Sequence, residues 1–167
     1  MESPTEYVSY FDRYTTLVPE KTLQQALKNQ DPVLKEYLAK VTEDKSNYAY
    51  APGKWTLKEM LQHMIDTERI FTYRALAIAR KDPANLPGFD ENLYAENSDT
   101  NRRTWESLSQ EMLAVRSSTK FLFDSFSPEM IEATGTFNGN EGKVNTLGFV
   151  IPGHIYHHLM VAEERYF

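Results

Sequence analysis

Apolar residues recur every three or four positions along most of this chain, a spacing that restricts it to helices packed on helices. Leu23, Leu27, Leu34, Leu38 and Val41 share one helical face. Leu57, Leu61, Met64, Ile65, Phe71 and Leu76 share a second, and Leu108, Met112, Val115, Thr119, Leu122 and Phe126 a third. A repeat near 3.6 residues makes a buried stripe on a helix and cannot make one face of a strand. The first long helix is expected from Pro19-Glu20 to about Val41, with a kink or restart at Asp31-Pro32, because proline removes a donor and disfavours helix before it. The second is expected from Leu57 to about Arg80, behind a capping box at Thr56 and Glu59, with Trp55 packed on it as a staple. The third spans roughly 100–126 and ends at Ser127-Pro128. The fourth runs from about 145 to 166, with Asn145 as N-cap. Pro152-Gly153 inside it is either a bend that aims His154 or a loop end from which the helix starts. Tyr7, Tyr10, Phe11 and Tyr14 suggest a short packing helix over about 6–14. Breakers fill the connections at 82–99 and 127–144, and Thr134–Gly139 suits a short extended piece or hairpin. These segments predict an all-α fold, a four-helix bundle with a short N-terminal helix and connections long enough for crossovers.

With 167 residues, 1–167 reads as a single domain. The net charge of −6 argues against nucleic acid as a partner, since phosphate binding needs a basic face. Arg80-Lys81 and Arg102-Arg103 are isolated basic pairs. No stretch approaches the roughly 18 apolar residues of a membrane span, and Met1–Glu6 lacks the basic start of a signal peptide. A soluble, cytoplasmic protein without membrane partners is the expectation. The chain has no cysteine, so a metal site must use imidazole, carboxylate and water.

The chain has four histidines, and three of them fall between 154 and 158. On a helix His154 and His158 lie on one face, about 6 Å apart along the axis. His63, on the inward face of a facing helix, would complete a three-nitrogen site for a divalent metal with open positions. Imidazole ligands do not select among nickel, zinc and iron. A lone histidine in an apolar stripe is more often a satisfied core residue, so the reading depends on all three. Ile155 stands where a His-Glu-x-x-His protease needs glutamate. His157 points about a quarter turn away and is expected at the surface, behind the site or in a subunit contact. Asp66, three residues after His63, is a candidate to orient an imidazole, to be a fourth ligand, or to pair with Arg69. Glu68 and Arg69 read as an ion pair at a helix edge. Arg74, on the same face as His63, is a candidate for binding an anionic group or for a structural ion pair. Nucleophile-elbow, P-loop, dinucleotide and calcium-loop patterns are absent.

Several stretches together resemble the DinB/YfiT-like superfamily of bacterial metal-binding four-helix bundles. They are Gly53–Glu59, His63–Arg69, Tyr73–Leu76, Leu86–Asp90, Gly153–His158 and Glu164–Phe167. The resemblance covers nearly the whole chain. It implies up-down-down-up topology, a homodimer, and nickel or zinc on His63, His154 and His158. Characterised members include transferases and an isomerase that use low-molecular-weight thiols, and others are described as hydrolases. The expected function is therefore a metal-dependent enzyme in which water or a borrowed thiol attacks a small molecule. The alternatives are a non-catalytic metal- or small-molecule-binding stress-response protein, and a plain bundle with core histidines.

Overall fold

The computed structural model describes residues 4–167, with side chains described from Tyr10 onward, so the side chain of Tyr7 lies outside the described residues. Helix α1 (Pro4–Thr15) is followed by α2 (Leu23–Lys40), a short α3 (Glu43–Ser46) and α4 (Leu57–Ala79). Strand β1 (Asn85–Leu86), α5 (Glu91–Glu96) and one 3-10 turn (Thr100–Arg102) lead to α6 (Trp105–Asp124). The chain closes with α7 (Pro128–Glu132), β2 (Thr134–Phe137), β3 (Asn140–Lys143) and α8 (Val144–Arg165).

Local chemistry sets most of these starts. The Thr22, Thr104 and Ser127 hydroxyls each accept a first-turn amide of the following helix. At α4 the box is complete: the Thr56 hydroxyl accepts the Glu59 amide, and the Glu59 carboxylate accepts the Thr56 amide at 2.7 Å. Helix α8 starts one residue earlier than expected, at Val144, with no side-chain cap. Both prolines lie inside continuous helices. Pro32 and Lys28, whose carbonyl loses its usual partner, are exposed, so water can satisfy that carbonyl and no break follows. The loop-end reading of Pro152-Gly153 is likewise replaced by helix on both sides. The third helix is shorter than expected, because the 3-10 turn takes its first residues and it ends at Asp124, with Ser125 as C-cap. Asn138 and Gly139 both have positive φ (50° and 74°), the requirement of the tight turn that joins β2 to β3. Strand β1 joins this hairpin in parallel with β2, a pairing not expected from sequence.

The helix directions follow from cross-contacts. Trp105 at the start of α6 donates its ring N–H to Leu38 O near the end of α2, while Arg116 reaches Gln30, so α2 and α6 are antiparallel. Gln62 meets Arg103, Arg69 meets Glu111 and Thr72 meets Thr119, so α4 and α6 run the same way. Tyr166 reaches back to Trp55 and His154 to His63, so α8 opposes α4. The result is an up-down-down-up bundle in which α2 and α4 each pack against both α6 and α8. Parallel α4 and α6 require a connection that returns along the bundle, and residues 80–104 make it.

Two apolar clusters fill the interior. One gathers Leu27, Phe71, Phe123, Phe137, Leu147 and Ile151; the other gathers Leu34, Leu61, Met64, Leu108, Met112 and Ile155. On every bundle helix a polar group sits between them. The Arg116 guanidinium grips the Glu68 carboxylate with two bonds (2.9 and 3.0 Å) and donates to Gln30 Oε1 at 2.6 Å. Thr119 also donates to Glu68, and Gln30 Nε2 donates to Pro152 O at 2.7 Å. Arg116 and Phe123 therefore take the buried positions expected of Val115 and Leu122, which are only half-buried.

Candidate metal centre

The capped start of α4 fixes the helical phase that turns His63 inward, and α8 presents His154 and His158 one turn apart. Their ring nitrogens meet: His154 Nε2 lies 3.0 Å from His63 Nε2 and 3.0 Å from His158 Nε2. All three donor atoms fall within 4.8 Å of one another, the one such cluster of histidine and acidic side chains among the described residues. Hydrogen bonding does not account for this arrangement. A neutral imidazole nitrogen carries either one proton or one lone pair. His154 Nε2 therefore cannot satisfy both neighbours along good lines. One cation taking three lone pairs would satisfy all of them. Two nitrogens 3.0 Å apart also suit a shared ion at about 2.1 Å, with roughly a right angle between the bonds. The donor set thus fits a divalent metal.

Burial keeps the rings uncharged. It pulls His63 from 6.5 down to about 4, with His157 adding a smaller push. His154 and His158 lie well below the usual value, through burial first and neighbouring imidazoles second. Lone pairs are therefore available at neutral pH, and a metal has no proton to displace. Aromatic rings wall the cluster. Trp55 lies on His63 at 4.9 Å between centroids, and Tyr14 meets His154 edge-on at 5.4 Å. Thr67 Oγ1 stands 3.4 Å from His63 Nδ1, a long contact that orients the ring. Gly153 lets α1 come close: a Cβ there would sit 2.2 Å from the Tyr14 carbonyl oxygen.

The triad borders a cleft of about 250 Å³ between α1, α4, α8, the loop before α5 and the hairpin tip. Arg74 lines it, donating to Pro87 O at 2.9 Å and stacking over Phe71, Phe89 and Phe137. His157 lines it too, half-buried against Tyr14 and outside the triad. Asp66 takes neither of the places expected near the histidines. Its carboxylate accepts from Gln62 at 2.9 Å on the side facing α6, and Thr67 stands beside His63 instead. Burial raises the Asp66 carboxyl above its usual value. Glu68 and Arg69 do not pair with each other. Glu68 binds Arg116 in the core, and Arg69 binds Glu111 across to α6. Tyr14 and Trp55, expected only to pack, line the cleft, and so do Arg13, Phe89 and Asn138, which no sequence motif marks as functional. The aromatic spacing of α1 was visible, but nothing local shows that it lies over α8.

The chain matches the family model described as the DinB superfamily over residues 26–162. No curated protein matches it. Among solved structures it is similar to YfiT from Bacillus subtilis, described as a probable metal-dependent hydrolase with an unusual four-helix bundle topology. The TM-score is 0.75 at 14% identity, over 87% of this chain and 89% of that one.

Proposed function

The chain belongs to the DinB superfamily, and from that premise we propose that His63, His154 and His158 hold one divalent metal ion in an enzyme acting on small molecules. The observation that carries this reading is the meeting of three uncharged imidazole nitrogens at the edge of an open cleft. A metal site serving structure alone is closed by its protein ligands, whereas a catalytic site keeps a position for water or substrate. The ion would lower the pKa of a water or thiol in contact with it, giving a nucleophile near neutral pH. The protein's own groups do the rest. Thr67 orients His63, Trp55 and Tyr14 exclude bulk water from the rings, and the cleft admits the second reactant. The description of YfiT favours hydrolysis as the reaction class. In a second form the nucleophile is a low-molecular-weight thiol in a transfer reaction, and since the chain has no cysteine that thiol would come from solution. The open cleft speaks against a sealed metal site that serves structure alone. Nickel, zinc and iron all suit the donor set.

Metal analysis of the purified protein beside His63→Ala, His154→Ala and His158→Ala tests the site. About one equivalent in the parent and less than about a tenth of that in each variant is expected from the loss of one of three ligands. Equal metal in all four proteins would remove it. Comparing aryl-ester cleavage with thiol conjugation to an electrophile, both with the metal-loaded protein, separates the two reactions. A homodimer is also proposed, and light scattering during gel filtration decides it.

A further inference from the structure

Away from the histidines, α2 and α8 leave a second depression between them. His154 and His158 turn toward His63 on α4, whereas Leu159, Met160 and Glu163 border a groove of about 670 Å³ against α2. That volume lies within the roughly 300–1,000 Å³ of small-molecule sites. Its walls are largely apolar. Leu159 is buried, and Val33 and Met160 stay 41% and 59% exposed although both are hydrophobic. No interaction of the groove's side chains reaches beyond the described residues.

The floor of this groove holds a group that folding leaves unsatisfied. Tyr37 is 5% exposed, and its hydroxyl is buried with no hydrogen-bond partner. Buried hydroxyls normally find a partner, and leaving one without is costly. Burial first, then Tyr166 and Glu163, push the phenol above its usual value, so it stays protonated and can both donate and accept. Glu163 stands on the rim, where it pairs with Lys40. Both side chains of that pair are well exposed, so it contributes little and opens readily. Among the described residues, the rim carries three carboxylates, Glu36, Glu163 and Glu164, against the one ammonium of Lys40. Glu36 makes no ion pair with another described residue, and Glu164 has only its neighbour Arg165.

We propose that this groove binds a small aliphatic amine in its ammonium form, its chain along Val33, Leu159 and Met160 and its charged end at Glu36 and Glu163. There the ammonium takes the place of Lys40 on Glu163 and donates to the Tyr37 hydroxyl, which gains its missing partner. The apolar walls hold the chain. The acidic rim repels carboxylates and favours cations over neutral molecules of the same length. The groove is separate from the histidine site, so this binding does not depend on a metal there.

Methionine-methyl NMR of the protein as purified, titrated with hexylammonium, 1-hexanol and hexanoate, tests the proposal at about pH 7, where an alkyl amine is protonated as lysine is. Met160 lines the groove, and Met60, Met64 and Met112 in the core serve as internal references. Hexylammonium is expected to shift the Met160 methyl and to bind about tenfold more tightly than 1-hexanol, with hexanoate weaker still. The preference should vanish in the double variant Glu36→Gln/Glu163→Gln. Tyr37→Phe removes no hydrogen bond of the free protein, so it should fold as the parent does and bind hexylammonium about fivefold more weakly. Equal affinity for hexylammonium and 1-hexanol overturns the proposal, and so does a shift of the core methyls without Met160. Unchanged affinity in Tyr37→Phe also overturns it, since water then serves the hydroxyl. If light scattering finds a dimer that Met160→Glu separates, and hexylammonium leaves Met160 unmoved, a second copy covers the groove and the proposal fails.

Discussion

A buried imidazole that stays neutral ties the stability of the metal-free protein to pH. His63 is held near 4 in the fold, against 6.5 in an exposed chain. As the pH falls, the unfolded chain takes up a proton that the folded chain refuses. The ring's contribution is whole above pH 6.5 and is lost as the pH drops toward 4. Each pH unit in that window is worth about 1.4 kcal/mol, so between about pH 7 and pH 5 His63 alone should give up about 2 kcal/mol. Urea unfolding of the metal-free parent and of His63→Gln at both pH values checks this. The parent should lose about 2 kcal/mol more than the variant, and equal losses would mean the ring is not held neutral. Gly153 makes a different prediction. An alanine methyl there meets the Tyr14 carbonyl oxygen at 2.2 Å, and that atom belongs to the backbone. Relief requires α1 to move off α8, which should lower stability by about 1–3 kcal/mol. Thermal unfolding reads the loss, and Gly153→Ala with an unchanged melting temperature would show that α1 is not seated as described.

Between the elements, the polar layer of Glu68, Arg116, Thr119 and Gln30 joins all four bundle helices at the height of Pro152. Breaking one side of a buried ion pair leaves an unpaired charge, so Glu68→Gln or Arg116→Met alone should cost about 3–5 kcal/mol. Replacing Glu68, Arg116 and Gln30 together by apolar residues of similar volume should come close to neutral, because no buried charge then remains. Denaturant unfolding of the single and combined variants tests this, and a combined loss equal to the sum of the single losses would refute it. The same layer explains how much was legible beforehand. The start of α4 could be read because Thr56 and Glu59 are neighbours in sequence and complete their bonds locally. The triad could be read because two of its members repeat at one helical turn and only one other histidine stands on a bundle helix apart from them. The buried face of α6 could not, because Arg116 is drawn inward by Glu68, 48 positions away. The same holds for Asp66, whose direction is decided by Gln62 and the charges on α6. Proline misled in the opposite way: its local penalty at 32 and 152 is real, yet the tertiary packing of α2 and α8 carries the helix through both.

At the scale of the whole molecule, the three imidazoles bridge α4 and α8, antiparallel helices whose histidines are 91 residues apart in the chain. The bundle holds them together without a disulfide, since the chain has no cysteine. A ligand that binds only where both helices are in place stabilises the entire fold by mass action. Zinc at about 100 times its dissociation constant should add about 2.7 kcal/mol, and a chelator should remove it. The gain should vanish in His158→Ala, which leaves one ligating histidine on each helix, too few ligands for tight binding. It should also fade as the pH falls below the range in which the rings are neutral, since protons then compete for the same lone pairs. Calorimetric melting of parent and variant, with zinc and then with chelator, gives the answer. Equal stabilisation of His158→Ala by zinc would mean that the metal binds elsewhere, and that the meeting of these rings is packing alone.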